Sequence, residues 1–101
     1  MEANKTFLVI TAIVNKQNIA EVPEYLSGVM QIFGKNGGKP VGRYKTIHSM
    51  IGDDSPEMMA VIEFDNPKTI QDMVNADAFN ALADQRARVF NKLNMMISQT
   101  M

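Results

Sequence analysis

The first third of the chain contains an apolar run followed by a segment with helical spacing. The apolar run over residues 7–14 is rich in β-branched side chains, which predicts a buried strand over residues 6–15. A secretory signal is the alternative interpretation, but no small-residue cleavage site follows the run. From residue 22 to residue 33, apolar side chains recur at intervals of three and four. This spacing predicts a helix with Pro23 in its first turn, and the glycines of 34–38 end it.

A pair of strands is predicted in the middle of the chain. Residues 41–51 and 58–64 have strand character, and turn-forming residues at 52–56 join them. The sequence Asp-Asn-Pro at 65–67 is typical of a helix start, because a side-chain oxygen there can accept from the first backbone amides. A short helix with one apolar face is therefore expected after it.

The last third of the chain predicts a second helix and a final strand. Helical spacing covers residues 78–91, with a break near Asp77, and strand character covers 93–100. The predicted order is β-α-β-β-α-β. This order is that of a ferredoxin-like α+β domain, a four-stranded antiparallel sheet with helices on one face. We expect one such domain over residues 1–101.

The predicted strands carry apolar side chains on both faces. Opposite the helix-facing residues of their strands lie Phe7, Val9, Ile13, Met59 and Val61. Two helices cannot cover both faces of a sheet, and large exposed apolar patches are rare on monomers. We therefore expect a homodimer in which two sheets face each other and bury more than about 2,000 Å². The alternative is a monomer with an apolar sheet face.

Composition excludes several classes of function. The 101 residues are 46% hydrophobic and 21% charged, which is ordinary for a globular domain. The net charge of −1 argues against nucleic acid as a partner. With no cysteine and one histidine, we expect no disulfide, no metal site and no cofactor. No apolar stretch reaches the length of about 18 residues that a membrane span needs, so we expect a cytoplasmic protein without a membrane partner.

Three segments of the chain resemble a known family. Residues 25–40, 60–67 and 76–86 are similar to the family called domain of unknown function 1330. The recurring marks are a Gly-Gly pair before a strand, a Glu-Phe pair that ends a strand, and an arginine late in a helix. The family looks like a branch of the dimeric α/β-barrel superfamily, which includes cofactor-free monooxygenases, and this resemblance implies the same face-to-face dimer. One departure is Phe79, where the family commonly has tyrosine.

Arg86 is the strongest candidate for ligand binding. It lies on the apolar stripe of the last predicted helix, where an unpaired guanidinium would be costly. We interpret it as an anchor for a small anionic molecule in a pocket between helix and sheet, with Tyr25 or Tyr44 packed on the ligand. The alternatives are an ion pair with Glu63 or Asp84, or a side chain that extends to water.

Glu63 and His48 are the candidate catalytic residues. A carboxylate partly withdrawn from water, such as Glu63, can act as a general base. An ion pair with Arg43 or Lys45 on the adjoining strand is the alternative. His48 is the side chain expected to titrate near neutral pH, and it shares a predicted strand face with Tyr44. An exposed histidine on an edge strand is the alternative there.

Three classes of function remain open. The first is a cofactor-independent enzyme that acts on a small anionic organic molecule. The second is a non-catalytic binding or regulatory module, and the third is a purely structural partner protein. Two groups in one cleft with pKa values shifted apart would favour the enzyme. A closed cavity of about 300 Å³ with polar groups would exclude the structural role.

Overall fold

A four-stranded sheet with helices against one face forms the computed structural model, which describes residues 4–53 and 55–101. The elements in chain order are β1 (Thr6–Val14), a 3₁₀ segment (Lys16–Glu21), α1 (Val22–Lys35), β2 (Lys39–Lys45), β3 (Met58–Phe64), α2 (Pro67–Val74), α3 (Asp77–Asn80), α4 (Ala83–Val89) and β4 (Phe90–Gln99). The strand order is β2-β3-β1-β4, and all neighbouring strands are antiparallel. The predicted ferredoxin-like α+β fold is confirmed.

The glycines after α1 end the helix as predicted. Gly37 has a φ of +82°, a left-handed conformation that few side chains adopt. Gly38 donates its N–H to the carbonyl of Phe33 at 2.8 Å. A Cβ on Gly38 would lie 2.8 Å from both this carbonyl oxygen and the ring of Phe64. Glycine is therefore the residue that fits where α1 turns into β2.

The second strand is shorter than predicted. The ladder between β2 and β3 ends where Lys45 pairs with Met58, so the prediction of a strand to residue 51 is wrong. The N–H of Thr46 donates to the carbonyl of Glu57 at 2.9 Å, which closes the ladder and starts a loop. The predicted turn at 52–56 falls in this loop, and its residue 54 lies outside the described residues.

The predicted helix over 78–91 is divided in two. The break near Asp77 is confirmed, but α3 ends at Asn80 and α4 begins at Ala83. The final strand also begins at Phe90, three residues earlier than predicted, because residues from Phe90 onward pair with β1 and do not continue the helix. Phe90 pairs with Val14, and Asn15 donates its N–H to the carbonyl of Val89 at 2.7 Å.

The core lies between the sheet and the helices. The sheet contributes Leu8, Ala12, Ile62 and Phe64, and α1 contributes Tyr25, Val29 and Phe33, all nearly excluded from solvent. Ile70, Met73, Phe79, Val89 and Phe90 complete it. Two edge-to-face aromatic pairs join the layers: Tyr25 with Phe90 at 5.4 Å between centroids, and Phe33 with Phe64 at 6.2 Å.

The opposite face of the sheet has an apolar centre and a polar surround. One cross-strand row consists of Val61, Val9 and Met96. The rows on either side contain Phe7 and Met59 together with polar residues, namely Glu63, Ser98, Thr11 and Asn94. We call this surface the open face. None of the helices described above is long and apolar enough to cross a membrane.

Candidate ligand-binding site

Arg86 and Tyr25 are brought together by the packing of α4 against α1. The Nε of Arg86 donates to the hydroxyl of Tyr25 at 2.8 Å, and one Nη donates to the backbone carbonyl of Phe79 at 3.0 Å. The guanidinium also lies 4.0 Å from the centroid of the Phe79 ring, a cation–π contact. These contacts fix the orientation of the guanidinium without a partner of opposite charge.

The predicted ion-pair partners of Arg86 do not contact it. Within the described part of the chain, neither Glu63 nor Asp84 forms an ion pair with this side chain. The positive charge is instead held by a phenol, a carbonyl and an aromatic ring. Phe79 thus supplies its ring and its carbonyl, so this contact does not need the hydroxyl that the family commonly has at this position.

Tyr25 is fully protonated at neutral pH. It is 2% exposed, and burial raises the pKa of the Tyr25 phenol, while the hydrogen bond from Arg86 opposes this rise. Because the phenolic oxygen accepts from Arg86, its own proton is not used in that contact. Tyr25 is therefore a neutral hydrogen-bond donor with a fixed oxygen.

The Tyr25 side chain forms part of the wall of an apolar cavity between α1 and the sheet. The cavity has a volume of about 30 Å³, room for about two water molecules. Its wall is formed by Ile10, Ala12, Tyr25, Leu26, Val29, Met30, Phe33, Arg43, Met58, Met59, Ala60, Phe90, Leu93 and Met95. The enclosed volume is far below the ~300 Å³ that would exclude a purely structural role.

Arg43 is the charged residue at this cavity, a position that the sequence pattern does not predict. It pairs with Ala60, which places it on the helix-facing side of β2. Together with Met30 it also lines two surface depressions beside the cavity. No described acidic side chain lines the cavity or either depression. The cavity therefore approaches the surface beneath one unneutralised guanidinium.

Glu63 and Tyr44 lie on the open face, on the other side of the sheet from Arg86. Glu63 pairs with Phe7 and with Lys39, so it is not opposite Arg43 or Lys45, the partners considered for it. Tyr44 is 53% exposed and packs over Gly42 on its own strand. The sheet separates both residues from the cavity.

His48 lies outside the sheet. The prediction that it shares a strand face with Tyr44 is wrong, because β2 ends at Lys45 and His48 is exposed in the following loop. Of the five predicted site residues, Arg86 and Tyr25 form one site, while Glu63, Tyr44 and His48 do not contribute to it. In the part of the chain that the structure describes, no cluster of three metal-ligating side chains occurs.

Comparison with known proteins supports the fold and the family. The model of the family described as "Domain of unknown function (DUF1330)" matches residues 5–101. A comparison with curated proteins finds no match.

Solved structures of similar fold cover almost the whole chain. A protein of unknown function from Rhodopseudomonas palustris has a TM-score of 0.79 at 13% identity, covering 99% of this chain and 85% of its own. A "dabb family protein with a ferredoxin-like fold" from Mesorhizobium loti has a TM-score of 0.72 at 11% identity, with coverage of 98% and 99%. A nipsnap family protein of unknown function from Agrobacterium tumefaciens has a TM-score of 0.67 at 11% identity, with coverage of 99% and 91%. These similarities establish the fold.

Proposed function

The chain belongs to the DUF1330 family, and for this member we propose that it binds a small anionic organic molecule in the cavity between α1 and the sheet. The observation that carries the proposal is Tyr25, whose ring forms part of the cavity wall and whose hydroxyl is fixed by Arg86 at 2.8 Å. Because Arg86 holds this side chain in place, the wall keeps its shape, and a ligand with an apolar body can lie between α1 and the sheet.

The charge distribution favours an anion. Arg43 lines the cavity, and Arg86 contacts Tyr25 from outside the cavity lining. The described lining contains no carboxylate. Arg86 acts in this proposal by holding the Tyr25 side chain in the cavity wall rather than by touching the ligand. It is a positioning residue, and its charge adds to a positive potential at the site.

Binding without catalysis is the function that the geometry favours. Glu63 lies on the open face and His48 in an exposed loop, so neither reaches a ligand in this cavity. The surface of the cavity wall is apolar, so it offers no group for proton transfer to a bound molecule. Incubating a retained compound with catalytic amounts of the protein, followed by mass spectrometry, distinguishes turnover from simple binding.

The proposal is tested by recovering small molecules from a cell extract on immobilised protein. The wild-type chain is compared with Arg86→Ala and Tyr25→Phe, and all three are first checked for folding by circular dichroism. Wild type is expected to enrich a set of organic anions that both variants retain several-fold less. If wild type enriches nothing, or if the variants retain the same compounds equally well, the binding proposal is wrong and the purely structural role is favoured.

We also propose that the protein is a homodimer joined through the open face. The row Val61, Val9 and Met96 gives this face an apolar centre, and the surrounding polar residues give it a rim, as in stable interfaces. A second copy of the chain presents the same surface, so a two-fold axis brings the two centres together.

The loop after β2 adds exposed apolar surface that a partner subunit would cover in part. Ile47, Met50 and Ile51 are 92%, 83% and 94% exposed. Light scattering after size-exclusion chromatography at micromolar concentration is expected to give twice the chain mass of 11.3 kDa. A stable monomer under these conditions would rule out the dimer.

We further propose a cytoplasmic location. The chain contains no cysteine, so its stability does not depend on an oxidising compartment. Fractionation of cells that carry a tagged chain is expected to recover it in the cytoplasmic fraction, and recovery in the culture medium would contradict this proposal.

A further inference from the structure

Arg43 and Met30 line both the cavity and the two surface depressions beside it. One depression continues along α1 past Val22, Pro23 and Ser27, and the other continues along β2 past Pro40 and Val41. We propose that this is the entrance of the site, and that it selects a molecule with one carboxylate and a compact apolar body, held by Arg43.

This inference rests on the proposed binding function and narrows it to a ligand class. The body must be apolar because the surface of the cavity wall is apolar, and Arg43 offers polar atoms only at the surface depressions beside it. The ligand group that contacts Arg43 must be anionic, because none of the ion pairs found among the described residues neutralises Arg43. A guanidinium binds a carboxylate through two parallel hydrogen bonds, which gives both strength and orientation.

The number of charges on the ligand follows from the number of cations at the site. Arg43 is the cationic side chain that lines the cavity and both depressions. Arg86 does not line them and already donates to Tyr25 and Phe79. A second carboxylate on the ligand would lie against the apolar cavity wall with no cation or hydrogen-bond donor to pair with, which is unfavourable. The site therefore discriminates against dicarboxylates.

Methionines let the small enclosed cavity accept a larger body. Met30, Met58 and Met95 line it from α1, β3 and β4, so a flexible side chain contributes from three different elements. A thioether side chain adopts new rotamers at low cost and fills irregular space. With these side chains in other rotamers, the site accommodates a ligand body larger than the cavity volume of about 30 Å³.

The test compares three probes of equal carbon number: hexanoate, 1-hexanol and adipate. Binding to the full chain is measured by NMR titration, with the methionine methyl groups as reporters of the cavity. The variants are Arg43→Gln and, as a matched control, Lys39→Gln, which removes one charge from the same strand but on the open face. Tyr25→Phe reports on the proposed function separately.

The expected result is that hexanoate binds wild type at least about tenfold more tightly than 1-hexanol or adipate. Arg43→Gln should remove this preference, and Lys39→Gln should retain it, as expected for a charge-assisted hydrogen bond. Equal weakening by both substitutions would overturn the role of Arg43. Equal binding of hexanoate and adipate, both tighter than that of 1-hexanol and sensitive to Tyr25→Phe, would leave the proposed function standing and refute the selection of a single carboxylate. Equal binding of hexanoate and 1-hexanol would contradict both this inference and the proposed preference for an anion. Failure of all three probes to shift the cavity methyl groups would refute both.

Discussion

Arg86 donates a hydrogen bond of 2.8 Å to the hydroxyl of Tyr25, which is 61 residues earlier in the chain. The contact joins α4 to α1 and lies beside the core pair of Tyr25 and Phe90. It therefore combines two roles: it contributes to stability, and it sets the direction in which the Tyr25 hydroxyl presents its proton.

Tyr25→Phe should destabilise the protein by about 1–2 kcal/mol, because Arg86 loses an acceptor and the buried ring is otherwise retained. Urea unfolding measures the change. Tyr44→Phe is the matched control, since Tyr44 is 53% exposed and its hydroxyl lies outside the core. Equal effects of the two substitutions would show that the Arg86 contact does not contribute to stability.

The titration of Tyr25 should be shifted upwards. Burial raises the pKa of its phenol above the ordinary value of 10.0. In the Tyr44→Phe variant, Tyr25 is the remaining tyrosine, so the ultraviolet absorbance of tyrosinate should have its midpoint above that value. Below the pKa of the unfolded state, the phenol is protonated in both the folded and the unfolded protein. Above that pKa the unfolded protein ionises more readily, so ionisation favours unfolding. The stability of wild type should therefore fall as the pH rises from about 10 through the folded pKa, more steeply than that of Tyr25→Phe. A midpoint at or below 10.0 would contradict this.

Gly38→Ala should destabilise the protein by about 2–3 kcal/mol, because the new Cβ meets the Phe33 carbonyl and the Phe64 ring. The control is Gly34→Ala within α1, where a Cβ meets nothing within 4 Å. That substitution should stabilise the helix by up to about 1 kcal/mol. Thermal and urea unfolding of both variants test the pair, and a neutral Gly38→Ala would show that the α1–β2 turn relaxes freely.

Asn66→Ala should destabilise the protein by about 1 kcal/mol. The side-chain oxygen of Asn66 accepts from the backbone N–H of Thr69 at 2.9 Å and caps the start of α2. Asn66→Asp keeps an acceptor and should be close to neutral in urea unfolding. A loss of the same size in both variants would indicate that the cap is not the source of the stability.

Val9→Glu should convert the proposed dimer to a monomer, because it places a charge in the central apolar row of the open face. The mass in solution, measured by light scattering, reports the change, and circular dichroism confirms that the variant is folded. Met96→Glu is a second variant in the same row, and Gln31→Glu on the exposed side of α1 is the control. Retention of the dimer in both open-face variants would place the interface elsewhere.

The sequence predicts the order of the elements well because each has a strong local signal. Met58–Phe64 forms the predicted strand, and the cap at Asn66 and the stop at Gly37 appear where local chemistry requires them. Local patterns fail where strand pairing decides the outcome. Pairing of Phe90 with Val14 shortens the last helix, and β2 ends at Lys45 because its partner strand β3 begins at Met58.

The site is less predictable because it depends on contacts between distant segments. The apolar stripe identifies Arg86, but its contact with Tyr25 follows from how α1 and α4 pack. The face that Arg43 presents depends on the register of β2, which shifts between Pro40 and Gly42. A long loop leaves that register undetermined by sequence, so the sequence suggests Arg43 as a partner of Glu63 and does not place it at a cavity.

The strand order places Arg43 at an edge of the sheet. Its strand, β2, is one of the two edge strands and is bonded to the sheet along a single side, whereas β1 and β3 are bonded on both. Outward displacement of β2 stretches one ladder and leaves the β3-β1-β4 platform intact. A ligand that needs more space can thus gain it by displacing β2, while the three strands β3, β1 and β4 keep their positions.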